Sequence, residues 1–223
     1  MSTASVSLRP HISLLGSTAL LFEAPGELDL APQQRIWNLA LQAGQGAEIH
    51  EAVPGMNNLM LTFIKPPHDL SGLCERLLDA WEACQPLPLE GRIVELPVVY
   101  GGEFGPHMGD VVAHTGLDIE TIANLHCEPL YPVYALGSHP GYCYLGGMDP
   151  RLATPRRQVP VLNIGAGSVS IGGVQTGVSA SAGPSGWNTI GRTEMAFFDP
   201  AQTPPAILRP GDFLRLRIER IIR

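Results

Sequence analysis

The sequence predicts two folded parts: a small α+β domain, then a mainly β domain closed or nearly closed into a barrel. Three observations carry this reading. Residues 1–88 alternate strand-like and helix-like stretches in the order β, α, ββ, α. Pro86 and Pro88 then interrupt the chain, and residues 89–223 break into many short strand-like runs separated by Gly and Pro.

The elements follow in order. Ile12–Glu23 is apolar and rich in strand formers until Pro25 and Gly26 stop it, which predicts a first strand or hairpin. From Ala31 to Ala43, Ile36, Leu39 and Ala40 recur at helical spacing behind Pro32 at the first-turn position, and Gly44 with Gly46 ends the run. Ala47–Val53 and Asn58–Ile64 flank the turn Pro54–Asn57 as a hairpin that Pro66 and Pro67 close. Asp69 and Ser71 are candidate caps for a second helix reaching Cys84, with Leu73, Leu77, Leu78 and Trp81 along one stripe. Two helices over these strands make a ferredoxin-like α+β sandwich, with the boundary near Leu89.

Beyond the boundary, Arg92–Tyr100 reads as a strand, and Gly109–Gly116 and Asp118–Leu125 as short helices, the second capped by Asp118. Further strands are expected at Tyr131–Leu136, Val161–Ile164, Ser168–Ile171, Met195–Phe198 and Phe213–Ile222. Pro210, Gly211 and Asp212 form a β-turn before the last of them. In that final strand Arg215, Arg217, Arg220 and Arg223 interleave with Leu214, Leu216 and Ile218, the pattern of a strand with one wet face.

Composition removes several function classes. A chain of 223 residues with 44% hydrophobic content can bury a normal core in one large or two small domains. The net charge of −7 argues against nucleic acid or an anionic membrane as partner, since both require clustered cations. There is no signal-like segment and no apolar run near the ~20 residues of a bilayer span, so a cytoplasmic location is expected. Cys74, Cys84, Cys127 and Cys143 lack the CxxC spacing of zinc or redox sites, which predicts reduced thiols and no metal. No Walker-type site is present: Gly172–Gly177 has the glycine spacing, but Val178 stands where the phosphate-binding Lys belongs. Ser185 has Gly183 before it but Trp187 in place of the second Gly of GxSxG, and GAGSVS at Gly165–Ser170 fails GxGxxG at its last position.

The densest polar stretch is Gly137–Arg157, GSHPGYCYLGGMDPRLATPRR. Gly141, Gly146, Gly147, Pro140, Pro150 and Pro155 exclude a regular helix, so it reads as a structured loop carrying Tyr142, Tyr144, Asp149, Arg151, Arg156 and Arg157. Together with Tyr100–Gly102 (YGG), His126, Gly167–Gly177 (GSVSIGGVQTG), Gly186–Thr193 (GWNTIGRT) and Leu208–Asp212 (LRPGD), it resembles the B subunit of the bacterial ATP-dependent 5-oxoprolinase. That carboxyltransferase-type family is also labelled allophanate hydrolase subunit 1 and includes sporulation kinase inhibitors of KipI type. The motifs keep the family's order over roughly the last 130 residues, and Val53–Phe63 (VPGMNNLMLTF) is the clearest match before them. The chain departs from the family pattern at Ser138 and Cys143, and in the less aromatic run Val178–Trp187.

The resemblance implies a cyclophilin-like barrel and a subunit, inactive alone, of an enzyme that opens 5-oxoproline to L-glutamate with ATP. It also implies a homologous C subunit and an A subunit as partners, with ATP bound alongside them. Alternatives implied by the relatives are an inhibitor docking on a sensor histidine kinase and an allophanate- or urea-processing carboxyltransferase component.

The candidate site residues form an anion- and amide-recognition set. His126 and Gln175 are the candidate catalytic pair, and Tyr142, Arg156, Arg157, Trp187 and Arg192 the candidate substrate contacts. His126, beside Glu128 at a helix end, can act as a general base or orient a carbonyl; the alternative is a cap on that helix. Gln175 between Gly173 and Gly177 can bond an amide from both ends of its carboxamide, or be satisfied by backbone inside the barrel. Arg156 and Arg157 suit a carboxylate or acyl phosphate, or a structural pair with Asp149 or a surface acid. Trp187 stacks on Arg192, or is core.

Overall fold

In a computed structural model, residues 9–87 and 90–223 are described. The chain divides into two compact units, residues 1–89 and 90–223. The expected boundary at 88/89 lies outside the described residues. Among those described, no helix is long and apolar enough to cross a membrane.

The first unit is a four-stranded antiparallel sheet under two helices. Strands β1 (His11–Leu14) and β2 (Ala19–Glu23) form the expected hairpin, and β2 sends Leu20 and Phe22 inward at period two. Helix α1 (Leu30–Ala43) starts one residue earlier than expected because Asp29, not Pro32, sets its beginning: the carboxylate accepts from Leu30 N at 2.7 Å. Strands β3 (Ile49–Pro54) and β4 (Asn58–Phe63) form the second hairpin. Buried Gln33 of α1 donates to Gly55 O at 2.8 Å and accepts from Asn57 N at 2.8 Å, fixing the turn between them. Asp69 caps helix α2 (Leu70–Ala83), which buries Leu73, Leu77 and Trp81; Ser71 lies inside the helix. The sheet order is β1-β2-β4-β3. A ferredoxin-like arrangement would add a strand after α2; here the N-terminal hairpin strand β1 fills the edge.

The second unit is a closed barrel. Its strands are β5 (Ile93–Gly101), β6 (Leu130–Leu136), β7 (Cys143–Leu145), β9 (Ser168–Gly172), β10 (Gln175–Val178), β12 (Asn188–Arg192) and β13 (Phe213–Ile222). They run in the order β10-β7-β6-β13-β5-β12-β9, and β9 pairs back onto β10. Only β5 and β13 are parallel among these neighbours, so the barrel is mixed. Closure leaves no edge to pair elsewhere. Inward residues alternate along β5 as Leu96, Val98 and Tyr100, and meet Tyr131, Val133, Leu145, Val169, Ile171 and Leu216 in one core. Helices α3 (Met108–Thr115) and α4 (Ile119–Cys127, capped by Asp118) lie between β5 and β6, and β8 (Val161–Ile164) pairs with β11 (Gly183–Ser185) as a separate two-stranded ribbon.

The fold class is thus as the sequence predicts, with two further local corrections in the second unit. Met195–Phe198 is not a strand; it holds a single bridge, Phe198 to Ala206, because Pro200, Pro204 and Pro205 deny it a ladder. Gly137–Arg157 is not wholly loop, since its centre, Cys143–Leu145, is barrel strand β7.

Candidate functional site

At one side of the barrel unit, the loop before β7, the loop after β10 and the ribbon strand β11 enclose a cleft of about 380 Å³. The loop before β7 folds on itself: Gly137 N donates to Tyr142 O at 3.0 Å, and Tyr142 N donates to His139 O at 3.1 Å. Gly141 holds φ +79°, and a Cβ there would lie 2.7 Å from the Cβ of Phe198, so glycine is required on both counts.

Four aromatic rings line the cleft in a connected series. His139 lies 5.2 Å from Tyr142, Tyr142 lies 4.8 Å from Tyr144, and Trp187 lies 6.2 and 6.3 Å from the two tyrosines, all tilted or edge-on. The absence of a side chain at Gly177 admits the Tyr142 phenol: a Cβ there would sit 2.7 Å from its oxygen. Burial, with Tyr144 and Cys143 nearby, raises the Tyr142 pKa far above the ordinary phenol range, so it remains a neutral donor. The Arg156 guanidinium lies 5.5 Å from the Trp187 ring centre, within cation–π range. Ser138, Ser179, Ser181 and Ser185 add hydroxyls, and among the described residues no Asp or Glu lines the cleft. One cation, several neutral donors and no carboxylate suit a small anion with an apolar face.

The predicted site residues divide among different places. Tyr142, Arg156 and Trp187 come together in the cleft. Arg157, the next residue, turns away into a separate cavity of about 420 Å³ and pairs with exposed Asp110, the surface-acid alternative. Asp149 pairs with Arg151 at 2.6 Å and not with either of the two. Arg192 lines a third cavity of about 480 Å³ with Glu194, Glu219 and Arg220. The expected stacking of Trp187 on Arg192 is therefore corrected: the cation over that indole belongs to Arg156. Gln175 opens β10 opposite Gly172 and is not among the cleft-lining residues.

His126 is fully buried inside the barrel. Its Nδ1 accepts from the Tyr100 hydroxyl at 2.7 Å, and its Nε2 lies 2.8 Å from Thr176 Oγ1. Thr176 donates its own proton to Ser170 O at 3.1 Å, so the imidazole carries its proton on Nε2. Tyr100 oxygen, 3.3 Å from Cys127 Sγ, then accepts from the thiol. Desolvation pushes the His126 pKa down to about 3. With both nitrogens taken up by Tyr100 and Thr176, the ring pins β10 to β5 and α4 and does not cap its helix.

Sequence reasoning passed over His139 and the serines of the 179–185 segment. His139 sits in the same loop as Tyr142, and the signal that singles it out is its position two residues after Gly137 and two before Gly141, in a turn that directs its ring at Tyr142.

A small α+β unit followed along the chain by a mixed β-barrel that carries this aromatic, single-cation cleft defines the class. The family described as carboxyltransferase domain, subdomain C and D, matches residues 10–208. Over 93% of this chain and 95% of its own length, the 5-oxoprolinase B subunit of Escherichia coli O157:H7 is 44% identical. That of Haemophilus influenzae is 38% identical over 95% of this chain and 99% of its own length. The solved structure of TTHA0988 superposes at a TM-score of 0.74 with 32% identity, covering 92% of this chain but only 40% of the TTHA0988 chain. The chain belongs to the family of 5-oxoprolinase B subunits, within the carboxyltransferase domain subdomain C and D proteins.

Proposed function

We propose that this chain is the B subunit of an ATP-dependent 5-oxoprolinase and that the Arg156 cleft holds the substrate or its phosphorylated form. The observation that carries the reading is the cleft itself: Arg156 over Trp187, neutral phenol, indole and hydroxyl donors, and no lining carboxylate to repel an anion. The substrate, 5-oxoproline, joins a carboxylate to a flat lactam ring, matching a guanidinium beside aromatic faces. Its ring amide resists water, so phosphorylation of the amide oxygen by ATP, with release of ADP, creates a species that water opens to L-glutamate and phosphate. ATP is held with the partner A and C subunits. The longer TTHA0988 chain, of which this fold makes up two fifths, supports a working unit larger than this chain.

The test is reconstitution. This chain is co-purified with its candidate A and C subunits, and glutamate release from 5-oxoproline is assayed with and without ATP. ATP-dependent release that disappears when this chain is omitted is the expected result. Arg156→Ala removes a charge-assisted hydrogen bond of about 1.5–3 kcal/mol, so kcat/KM falls roughly 10- to 150-fold. A complex that forms but ignores 5-oxoproline would redirect the reading to another amide.

A further inference from the structure

We propose that His139 is a substrate-contacting residue of the cleft, giving a hydrogen bond from Nδ1–H to an oxygen of the anion that Arg156 holds. The inference rests on the reading of the cleft as the substrate site and adds a second recognition group to it.

Three observations support it. Ser138, immediately before His139, holds φ +62°, a left-handed conformation that a non-glycine residue adopts only at a cost and that recurs where a side chain must be aimed. The turn locks behind it, with His139 N donating to Gly137 O at 2.7 Å. The ring is then fixed from both sides: its edge meets Tyr142 at 5.2 Å, and its Nε2 accepts from Ser181 N at 3.4 Å. A neutral imidazole has one N–H, so an accepting Nε2 leaves the proton on Nδ1. Among the described residues that Nδ1 forms no hydrogen bond.

The surroundings set its charge. Tyr142, Tyr144 and Arg156 are the titratable or charged side chains that line the cleft with it, and none is a carboxylate that would hold a proton on the ring. Burial lowers the His139 pKa, so the ring is a neutral donor at neutral pH.

The experiment uses the full chain reconstituted with its partner subunits, with kcat and KM for 5-oxoproline measured from pH 5 to 8. His139→Ala, His139→Asn and Arg156→Ala are compared with wild type. Asn places an amide N–H near the Nδ1 position and cannot titrate. The expected result is a KM about tenfold higher in His139→Ala and a KM within about threefold of wild type in His139→Asn, with kcat little changed in both. Arg156→Ala impaired while His139→Ala keeps the wild-type KM overturns the proposal alone. Arg156→Ala indistinguishable from wild type overturns the reading of the cleft and this proposal with it. If His139→Ala does not fold, a KM about tenfold higher in His139→Asn, which keeps the N–H, overturns it.

Discussion

Acid should loosen the barrel through His126, and the size of the effect follows from its burial. The ring is enclosed, holds two hydrogen bonds as the neutral Nε2–H tautomer, and has its pKa pushed down to about 3. In the unfolded chain the same imidazole titrates near its ordinary value of about 6.5. Between those values the unfolded state binds a proton that the folded state does not, so stability falls as pH falls, by about 1.36 kcal/mol per unit. At pH 5 the loss from this one group is about 2 kcal/mol relative to pH 8, and it reaches about 4 kcal/mol at pH 3. All five tyrosines lie between residues 100 and 144, so the tyrosine near-ultraviolet signal follows the barrel unit alone. Urea unfolding followed by that signal at pH 8, 6.5 and 5 measures the slope. His126→Gln keeps polar atoms in the ring's place but removes the titration. It should be destabilised at pH 8 by about 2–4 kcal/mol through imperfectly paired Tyr100 and Thr176 hydroxyls, yet lose about 2 kcal/mol less than wild type on going to pH 5. Equal pH slopes in the two proteins would refute the buried neutral ring.

Two further changes test the packing around the cleft and the barrel. Gly177→Ala puts a methyl 2.7 Å from the Tyr142 oxygen and 2.9 Å from Cys143 O, so it should cost about 1–3 kcal/mol and cut the reconstituted activity; unchanged values would show that the ring has room to move. Asp212, fully buried, accepts from Arg92 N, Arg92 Nη2 and Arg209 N at 3.1, 2.9 and 3.2 Å. Asp212→Asn should therefore lower the barrel's stability by about 2–4 kcal/mol, and an unmoved urea midpoint would contradict this.

Where a residue pattern ran for several turns or several alternations, the sequence was a sufficient guide. β5 and β13 show their inward residues at period two, and α4 shows both its Asp118 cap and its apolar stripe. The short strands β7, β10 and β12 gave no such pattern, and each takes part of its pairing from a strand well along the chain, β10 with β7 and β12 with β5. His126 was readable in part: its spacing from Ile122 and Ala123 places it on the buried stripe of α4, while the adjacent Glu128 and Pro129 suggested an exposed end. Asp212 was read as a turn residue only. The turn is there, but the carboxylate also joins β5 to β13 through Arg92, a pairing of residues 120 apart that no local signal marks.

The dispersal of the arginines has a consequence for affinity. Arg156 and Arg157 are consecutive and suggest a double clamp, yet an extended backbone sends neighbouring side chains to opposite sides, and only Arg156 reaches the cleft; Arg192 lies in another cavity. An anion in the cleft therefore meets one guanidinium from this chain. A single charge-assisted contact contributes about 1.5–3 kcal/mol, and the neutral donors about 1 kcal/mol each, before the loss of ligand freedom is counted. The sum does not exceed the ~4 kcal/mol that corresponds to millimolar binding by a wide margin, so the isolated chain should hold 5-oxoproline no tighter than about millimolar. Isothermal titration of the ligand into the chain alone and into the reconstituted complex tests this. Binding should sharpen on assembly, because only the partner subunits can supply the missing positive charge. Micromolar binding by the isolated chain would show that Arg156 is not the sole cation acting on the ligand and would overturn the single-cation account of the cleft.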